Sequence, residues 1–204
     1  LRVKTGMAQP IYDDSYNPAD LKVAISELLV ATADGSDELV DGAVPEVLRL
    51  LRQHMNMDVV FVSEFTGGER VLRHVDTAPG ADVVAAGQSA PLEESWCQRV
   101  VDGRLPQLIQ DATFLPADAA PKPSFPIGSH LSTPVVLKDG SVYGTLCCFS
   151  FTAHPNLAAQ DLKKLQYTAK LTASKIDQAA AKRDEDVTKD WSLVPKPRDA
   201  ARRR

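Results

Sequence analysis

Three cysteines are the side chains in this sequence best suited to covalent or redox chemistry: Cys97, Cys147 and Cys148. Their odd number excludes a complete disulfide framework. Adjacent residues of a strand point to opposite faces, so we do not expect Cys147 and Cys148 to bond to each other. Cys97 stands near the start of a predicted helix, where the helix dipole lowers a thiol pKa and favours redox activity or covalent attachment. The alternative is that Cys97 is buried and unreactive, and on a strand Cys147 and Cys148 are expected to pack as small hydrophobic side chains.

The four histidines do not form a metal-binding pattern. His54, His74, His130 and His154 are not paired with one another or with a cysteine at the spacing of metal ligands, so we predict no metal centre. One histidine suffices as an axial haem ligand, and His130 is the candidate; the alternative is a hydrogen-bonded structural histidine. The sequence contains no phosphate-binding loop, nucleophile elbow or supported pair of catalytic carboxylates, so we predict no catalytic residues.

Composition and charge exclude several classes of protein. The 204 residues carry a formal net charge of -4, unlike the basic surface of a nucleic-acid-binding protein. No run approaches the roughly 18 apolar residues of a membrane span, and no signal peptide opens the chain. The absence of a complete disulfide framework fits reduced thiols in a reducing compartment. Together these features predict a cytoplasmic protein that contacts neither nucleic acid nor a membrane. Residues 1–6, which precede Met7, are expected to be a remnant of cloning.

Apolar residues at helical spacing predict three helices in the first half of the chain. The first covers residues 20–32 and is followed by a break at 34–37, where Asp, Gly, Ser and Asp occur together. The second covers 44–55, with Pro45 in its first turn, where a missing amide hydrogen does no harm. A third, shorter helix is predicted over 91–102.

The strands are predicted from β-branched and aromatic runs bounded by turn residues. Residues 58–65 and 70–75 form a first hairpin, and residues 105–109 a short strand. Residues 130–137 and 142–151 form a late hairpin.

A closing helix begins near residue 157 and continues to about residue 182, with an apolar seam that steps by three and four residues. The order α-α-β-β-α-β-β-β-α predicts an α+β fold with a central antiparallel sheet and helices on one or both faces. We predict a domain over 18–182, a tail over 1–17 and a charged tail over 183–204.

Two glycines and a proline of the late hairpin predict details of its backbone geometry. In the Asp139-Gly140 turn, glycine supplies the positive φ that a tight hairpin requires. Gly144 allows another backbone or a ligand to approach the strand closely. Pro134 inside a strand predicts an edge position or a bulge, because proline cannot donate a hydrogen bond.

Two stretches carry a resemblance to a known family. In residues 127–149 a strand with a Pro-Val step turns at Asp-Gly and returns through Gly-Thr-Leu, and residues 95–106 have the sequence SWCQRVVDGRLP. The first stretch resembles the late hairpin of GAF domains, and the second resembles a subgroup of bacterial GAF domains. The resemblance covers roughly residues 20–180. It implies an α/β sandwich of the GAF or PAS type whose terminal helices pack together.

The resemblance also implies a ligand pocket between one face of the sheet and the segments that cover it, here 91–101 and 111–130. Trp96 is able to stack on a planar ligand, and the alternative is that Trp96 anchors the core. No cofactor is identified. The candidate ligand-binding residues are Trp96, Cys97, Asp111, Ser129, His130 and Cys148.

A sensory or regulatory module, rather than a conventional enzyme, is the function that the resemblance implies. We expect it to bind a small molecule or respond to redox state, to form a homodimer through its terminal helices and to signal to a protein partner. One alternative is a ligand-free scaffold for dimerisation or protein–protein interaction, with the pocket filled by Trp96 and its neighbours. The other is a thiol enzyme similar to free methionine-R-sulfoxide reductases, although that family's tryptophan-containing strand and cysteine-bearing loop are not found here. Bilin-binding relatives usually carry a Cys-His pair where this sequence has Cys97-Gln98, which disfavours a covalent bilin.

Overall fold

The computed structural model describes residues 37–191, with side chains for residues 44–186. Within this part of the chain a helix, three strands, a helix, three strands and a helix follow one another. The predicted helix over 20–32 lies outside the described residues. The elements are α1 (Asp37–Met55), β1 (Val59–Thr66), β2 (Glu69–Thr77), β3 (Ser89–Pro91), α2 (Trp96–Val101), β4 (Leu108–Ile109), β5 (Ser129–Val136), β6 (Val142–Ser150) and α3 (Ala159–Trp191).

The six strands form one sheet in the order β3-β2-β1-β6-β5-β4, with every neighbouring pair antiparallel. The predicted α+β fold, with a central antiparallel sheet and flanking helices, is confirmed. Strand β3 is the addition to the predicted order. Its three residues, Ser, Ala and Pro, include no β-branched or aromatic side chain, so the sequence pattern does not reveal it.

The sheet has two covered faces, because successive strand residues point to opposite sides. Helices α1 and α3 cover one of them, the helix face, where Leu131, Leu146 and Cys148 join the core. Helix α2 and the loops cover the other, the loop face, where Cys147 lies with Phe61 and Phe149. The prediction that Cys147 and Cys148 point to opposite faces is therefore confirmed.

Helix α1 begins at Asp37, earlier than the sequence pattern predicts, and Pro45 consequently lies inside the helix. The prediction that Pro45 occupies the first turn is wrong, because the polar segment before residue 44 is itself helical. Pro45 is exposed, so water is able to satisfy the carbonyl group that loses its amide partner there.

Helix α3 extends to Trp191, past residue 182, where the sequence pattern predicts its end. Leu165, Ala169 and Ala173 are buried against the helix face, which agrees with the predicted apolar seam. α1 and α3 also contact each other. Among residues 37–191 no helix combines the length and apolar character required to cross a bilayer.

Helix α2 carries two of the predicted site residues and is fixed at both ends. Ser95 is its N-cap, with the hydroxyl oxygen accepting a hydrogen bond from the Gln98 amide at 3.1 Å. Gly103 follows the helix with φ of +74°, a conformation that suits glycine at a helix C-terminus. A short 3-10 turn, Leu92–Glu94, links α2 to β3.

The late hairpin has the geometry that its turn and proline residues predict. Gly140 adopts φ of +84° in the turn between β5 and β6. β4 pairs only with His130 and Leu131, so Pro134 lies on β5 beyond the end of its neighbour, beside a bulge at Val135 and Val136. Both the edge position and the bulge predicted from Pro134 are therefore present.

Gly144 is required by the close approach of β1. A Cβ atom added to Gly144 would lie 1.9 Å from the carbonyl oxygen of Ser63, well inside van der Waals contact. The close neighbour expected at Gly144 is therefore the backbone of the paired strand.

Candidate functional site

The loop face of the sheet carries a cavity of about 630 Å³ between the strands, α2 and the segment 121–127. This volume falls in the range of about 300–1,000 Å³ that is usual for small-molecule sites. Aromatic rings form much of its wall. Among its lining residues are Phe61, Arg70, Trp96, Cys97, Phe125, His130 and Phe149.

His130 lines this cavity and is only 2% exposed. Its ring meets Trp96 edge to face at a centroid distance of 5.2 Å. Burial lowers the pKa of His130 to about 4, so the imidazole is neutral at pH 7. Among the described residues, no group hydrogen-bonds its buried Nδ1 atom. A neutral imidazole can donate or accept at that nitrogen, depending on its tautomer.

Trp96 forms one wall of the cavity and holds a covering segment in place. Its Nε1 donates a hydrogen bond to the carbonyl oxygen of Pro121 at 2.8 Å. The segment that begins at Pro121 includes Phe125, which stacks on Phe149 with ring centroids 5.4 Å apart. Trp96 therefore positions one of the walls that separate the cavity from solvent.

Arg70 brings a positive charge to the cavity wall. Its guanidinium carbon lies 5.8 Å from the centre of the Phe61 ring, a cation–π arrangement. Its Nε is buried and has no hydrogen-bond acceptor within the described part of the chain. Lys122 and Glu94 are exposed residues at the rim. Arg70 and Lys122 thus bring two cations to the cavity, and Glu94 brings one carboxylate to its rim.

Beneath the cavity, Cys97 and Cys147 bring their sulfur atoms within 3.3 Å of each other. A hydrogen bond from Cys147 lowers the pKa of Cys97 to about 6 against the opposing effect of burial, and the charge of Arg70 acts in the same direction. Burial and the adjacent Cys97 raise the pKa of Cys147. The two thiols therefore titrate as a coupled pair, in which Cys97 loses its proton more readily than Cys147.

Three of the six predicted site residues meet at this cavity: Trp96, Cys97 and His130. Ser129 does not line it, because Ser129 precedes His130 on β5 and the strand alternation turns it away. Cys148 is packed in the core of the helix face, where burial raises its pKa.

Asp111 is the third predicted residue that lies away from the cavity. Its carboxylate accepts hydrogen bonds from the Thr113 amide at 2.9 Å and the Thr113 hydroxyl at 2.6 Å. These bonds cap a short 3-10 turn, Ala112–Phe114, and hold the pKa of Asp111 below its usual value. Asp111 lines a separate surface groove beside Phe114.

The sequence pattern does not single out Arg70 or the phenylalanines of the cavity wall. A signal for Arg70 is present in the predicted hairpin, because Arg70 and Leu72 are two residues apart and share one face of β2. Phe61 and Phe149 are diagonal neighbours on the paired strands β1 and β6, with ring centroids 6.4 Å apart. Their common role depends on strand pairing, which the sequence does not specify.

A larger groove of about 840 Å³ lies on the helix face beside α3. Its charged residues include Glu64 and Arg73, which already pair with each other at 2.5 Å. We therefore place the candidate ligand site in the loop-face cavity, where polar atoms are buried without partners in the described structure.

Comparison with known proteins identifies the fold. A family model described as the GAF domain matches residues 37–177, whereas no curated protein matches the sequence. The GAF domain of a phosphoenolpyruvate-protein phosphotransferase from Coxiella burnetii is similar in structure, with 16% identity, a TM-score of 0.64, and coverage of 83% of this chain and 99% of that chain. Free methionine-R-sulfoxide reductase from Neisseria meningitidis, in complex with its substrate, is also similar in structure. The identity is 16% and the TM-score 0.63, with coverage of 86% of this chain and 99% of that chain.

The phycoerythrobilin-bound GAF domain from a cyanobacterial phytochrome is a third similar structure, with 13% identity, a TM-score of 0.62, and coverage of 83% of this chain and 99% of that chain. At these identities the three structures share the fold alone. The family match spans well over half of the sequence and includes all six strands of the sheet. This chain belongs to the GAF domain family.

Proposed function

We propose that this GAF domain is a cytoplasmic regulatory module that binds a small, planar organic acid in the loop-face cavity. The observation that carries the proposal is His130, a buried side chain whose Nδ1 faces no partner among the described residues while its ring lines an open cavity. A buried polar atom without a partner costs free energy, and a ligand with a hydrogen-bonding group would remove that cost.

The chemistry of the cavity supports a planar acid. Arg70 adds a cation and a buried, unpartnered N–H, which favour a carboxylate or another anion. The rings of Phe61, Phe149 and Trp96 add apolar surface suited to a planar group. The ligand-free scaffold predicts a pocket filled by Trp96, whereas Trp96 forms a wall of a cavity of about 630 Å³.

Strands β5 and β6 offer a route from the cavity to the helices. His130 and Leu131 are adjacent on β5, with His130 on the cavity wall and Leu131 in the core with α3. A ligand that prefers one position of β5 would therefore shift the packing of α3. The size of the shift is limited by the difference in affinity of the ligand for the two arrangements.

The proposal includes a homodimer and a signalling protein as partners of the terminal helices. Helix α3 continues to Trp191, and its residues 181–186 are exposed instead of being packed on the domain. This part of α3 offers a surface to a second subunit. Light scattering after size-exclusion chromatography measures the oligomeric state, and a monomer at micromolar concentration, with and without ligand, would contradict the dimer.

The test of ligand binding uses a matched pair of probes. Benzoate and substituted benzoates should raise the melting temperature and bind in calorimetry, whereas benzamide, which has the same shape without the charge, should bind much more weakly. Arg70→Gln should weaken benzoate binding by roughly 10- to 100-fold, the range for losing a charged hydrogen bond of about 1.5–3 kcal/mol. Arg73→Gln is the control, because Arg73 lies on the same strand and pairs with Glu64 outside the cavity.

Two outcomes would contradict parts of this proposal. Equal binding of benzoate and benzamide, or an unchanged affinity in Arg70→Gln, would overturn the assignment to acids. A wider screen with amino acids, cyclic nucleotides, bilins and haem that gives no stabilisation would overturn ligand binding and favour the scaffold.

A further inference from the structure

A continuous line of buried polar side chains runs along the loop face and ends at the two thiols. Ser63 and Thr145 lie at a hydroxyl–hydroxyl distance of 2.9 Å, and Cys147 Sγ lies 3.2 Å from the Thr145 hydroxyl oxygen. Ser132 Oγ is 2.8 Å from Cys147 Sγ. These four residues are all buried. The line leads to Cys97, which borders the cavity.

We propose that Cys97 and Cys147 are a peroxide-reactive dithiol, which closes to a reversible disulfide when a hydroperoxide enters the cavity. The two cysteines are 50 positions apart in the sequence, yet their sulfur atoms are 3.3 Å apart. This pairing joins α2 to the central strand β6.

The geometry requires only a small movement. A disulfide bond is about 2.05 Å long, so the sulfur atoms must approach by roughly 1.3 Å. β6 is held between β1 and β5, whereas α2 is a helix of six residues beside a loop. The movement therefore falls on α2. The third cysteine cannot compete, because Cys148 lies on the helix face of the same strand.

The reaction balances with one hydroperoxide per disulfide. The Cys97 thiolate attacks the terminal oxygen of H₂O₂, the O–O bond breaks, and the hydroxide that leaves takes up a proton to become water. Cys97 is then a sulfenic acid. The sulfur of Cys147 attacks the sulfur of Cys97, the S–O bond breaks, and the Cys147 proton leaves with that oxygen as a second water. Two thiols are oxidised, and one peroxide is reduced to two waters.

Each cysteine is suited to its own step. The Cys97 thiolate is the nucleophile, because the thiolate and not the thiol reacts with peroxide, and Arg70 stabilises its charge. Cys147 keeps its proton until the second step, because burial and the adjacent thiolate disfavour a second negative charge. Cys97 is 1% exposed, so its route to peroxide is the cavity that it lines.

The experiment measures the mass of the intact chain after treatment with hydrogen peroxide under native conditions. The expected product is lighter by about 2 Da, the mass of two hydrogen atoms. Proteolysis without reduction should release one cross-linked pair of peptides, containing Cys97 and Cys147. Dithiothreitol should restore the original mass and both free thiols.

Variants separate the proposed pair from general oxidation. Cys148→Ala should lose 2 Da as the native chain does, because it keeps both partners. Cys147→Ser should stop at a sulfenic acid on Cys97, trapped by dimedone, and Cys97→Ser should react at least 10-fold more slowly. Gains of 16 or 32 Da without a cross-link, a cross-link to Cys148, or thiols that persist in the native chain would each overturn the proposal.

The disulfide would alter a wall of the cavity and would therefore change the affinity for a ligand. This effect on affinity rests on the proposed function. The mass measurement does not depend on any ligand. A disulfide that forms in a chain that binds no acid would leave the redox inference standing and remove only the ligand proposal.

Discussion

The buried histidine of the cavity should make the protein less stable in mild acid. The pKa of His130 falls from 6.5 in the unfolded chain to about 4 in the folded chain. Between these values the unfolded chain binds more protons, so stability is lost as the pH falls below about 6.5. For these two pKa values the loss from pH 7.5 to pH 5 is about 2 kcal/mol. Below pH 4 the imidazole is protonated in both states and the loss is complete.

Urea unfolding at pH 7.5, 6 and 5 measures this loss in the native chain and in His130→Gln. Carboxylates also titrate below pH 6, so the informative quantity is the difference between the two proteins. The variant should lose about 2 kcal/mol less than the native chain over this range. His154→Gln controls for the replacement of a histidine outside the cavity lining. Equal losses in native chain and His130→Gln would refute a neutral, buried His130.

Three further predictions concern the elements around the cavity. The disulfide between Cys97 and Cys147 links residues 50 positions apart, so the free energy of unfolding in urea should be up to about 4 kcal/mol higher for the oxidised chain than for the reduced chain. Equal free energies of unfolding would contradict this prediction. Gly144→Ala should destabilise the fold by about 3 kcal/mol or more, because the new Cβ meets the Ser63 carbonyl, and an unchanged melting temperature would contradict this contact. Ser95→Ala should cost about 1 kcal/mol in chemical denaturation by removing the cap of α2, and a neutral effect would mean that the cap is redundant.

The late hairpin shows what the sequence predicts well. Its turn, its close approach at Gly144 and its irregular edge at Pro134 all follow from the backbone chemistry of single residues. The opposite directions of Cys147 and Cys148 follow from strand geometry. Such local rules hold because they depend on neighbours in the chain.

The site was less predictable, because its members come from distant parts of the chain. Cys97 was a candidate from its place near a helix start, but its contact with Cys147 depends on how α2 packs on β6. Arg70 joins the site through the pairing of β2 with β1, which the sequence does not specify. Cys148 was predicted on the pocket side, and the register of β6 places it in the opposite core.

Trp96 has a consequence for how this protein can be studied. The chain contains two tryptophans, so Trp191→Phe would leave Trp96 as the sole indole emitter. Its Nε1–H holds the Pro121 carbonyl, and its ring meets His130. Release of that carbonyl, or a proton arriving on the imidazole, would change the colour and lifetime of its emission. Trp96 fluorescence would therefore report whether the segment that begins at Pro121 is still hydrogen-bonded to Trp96.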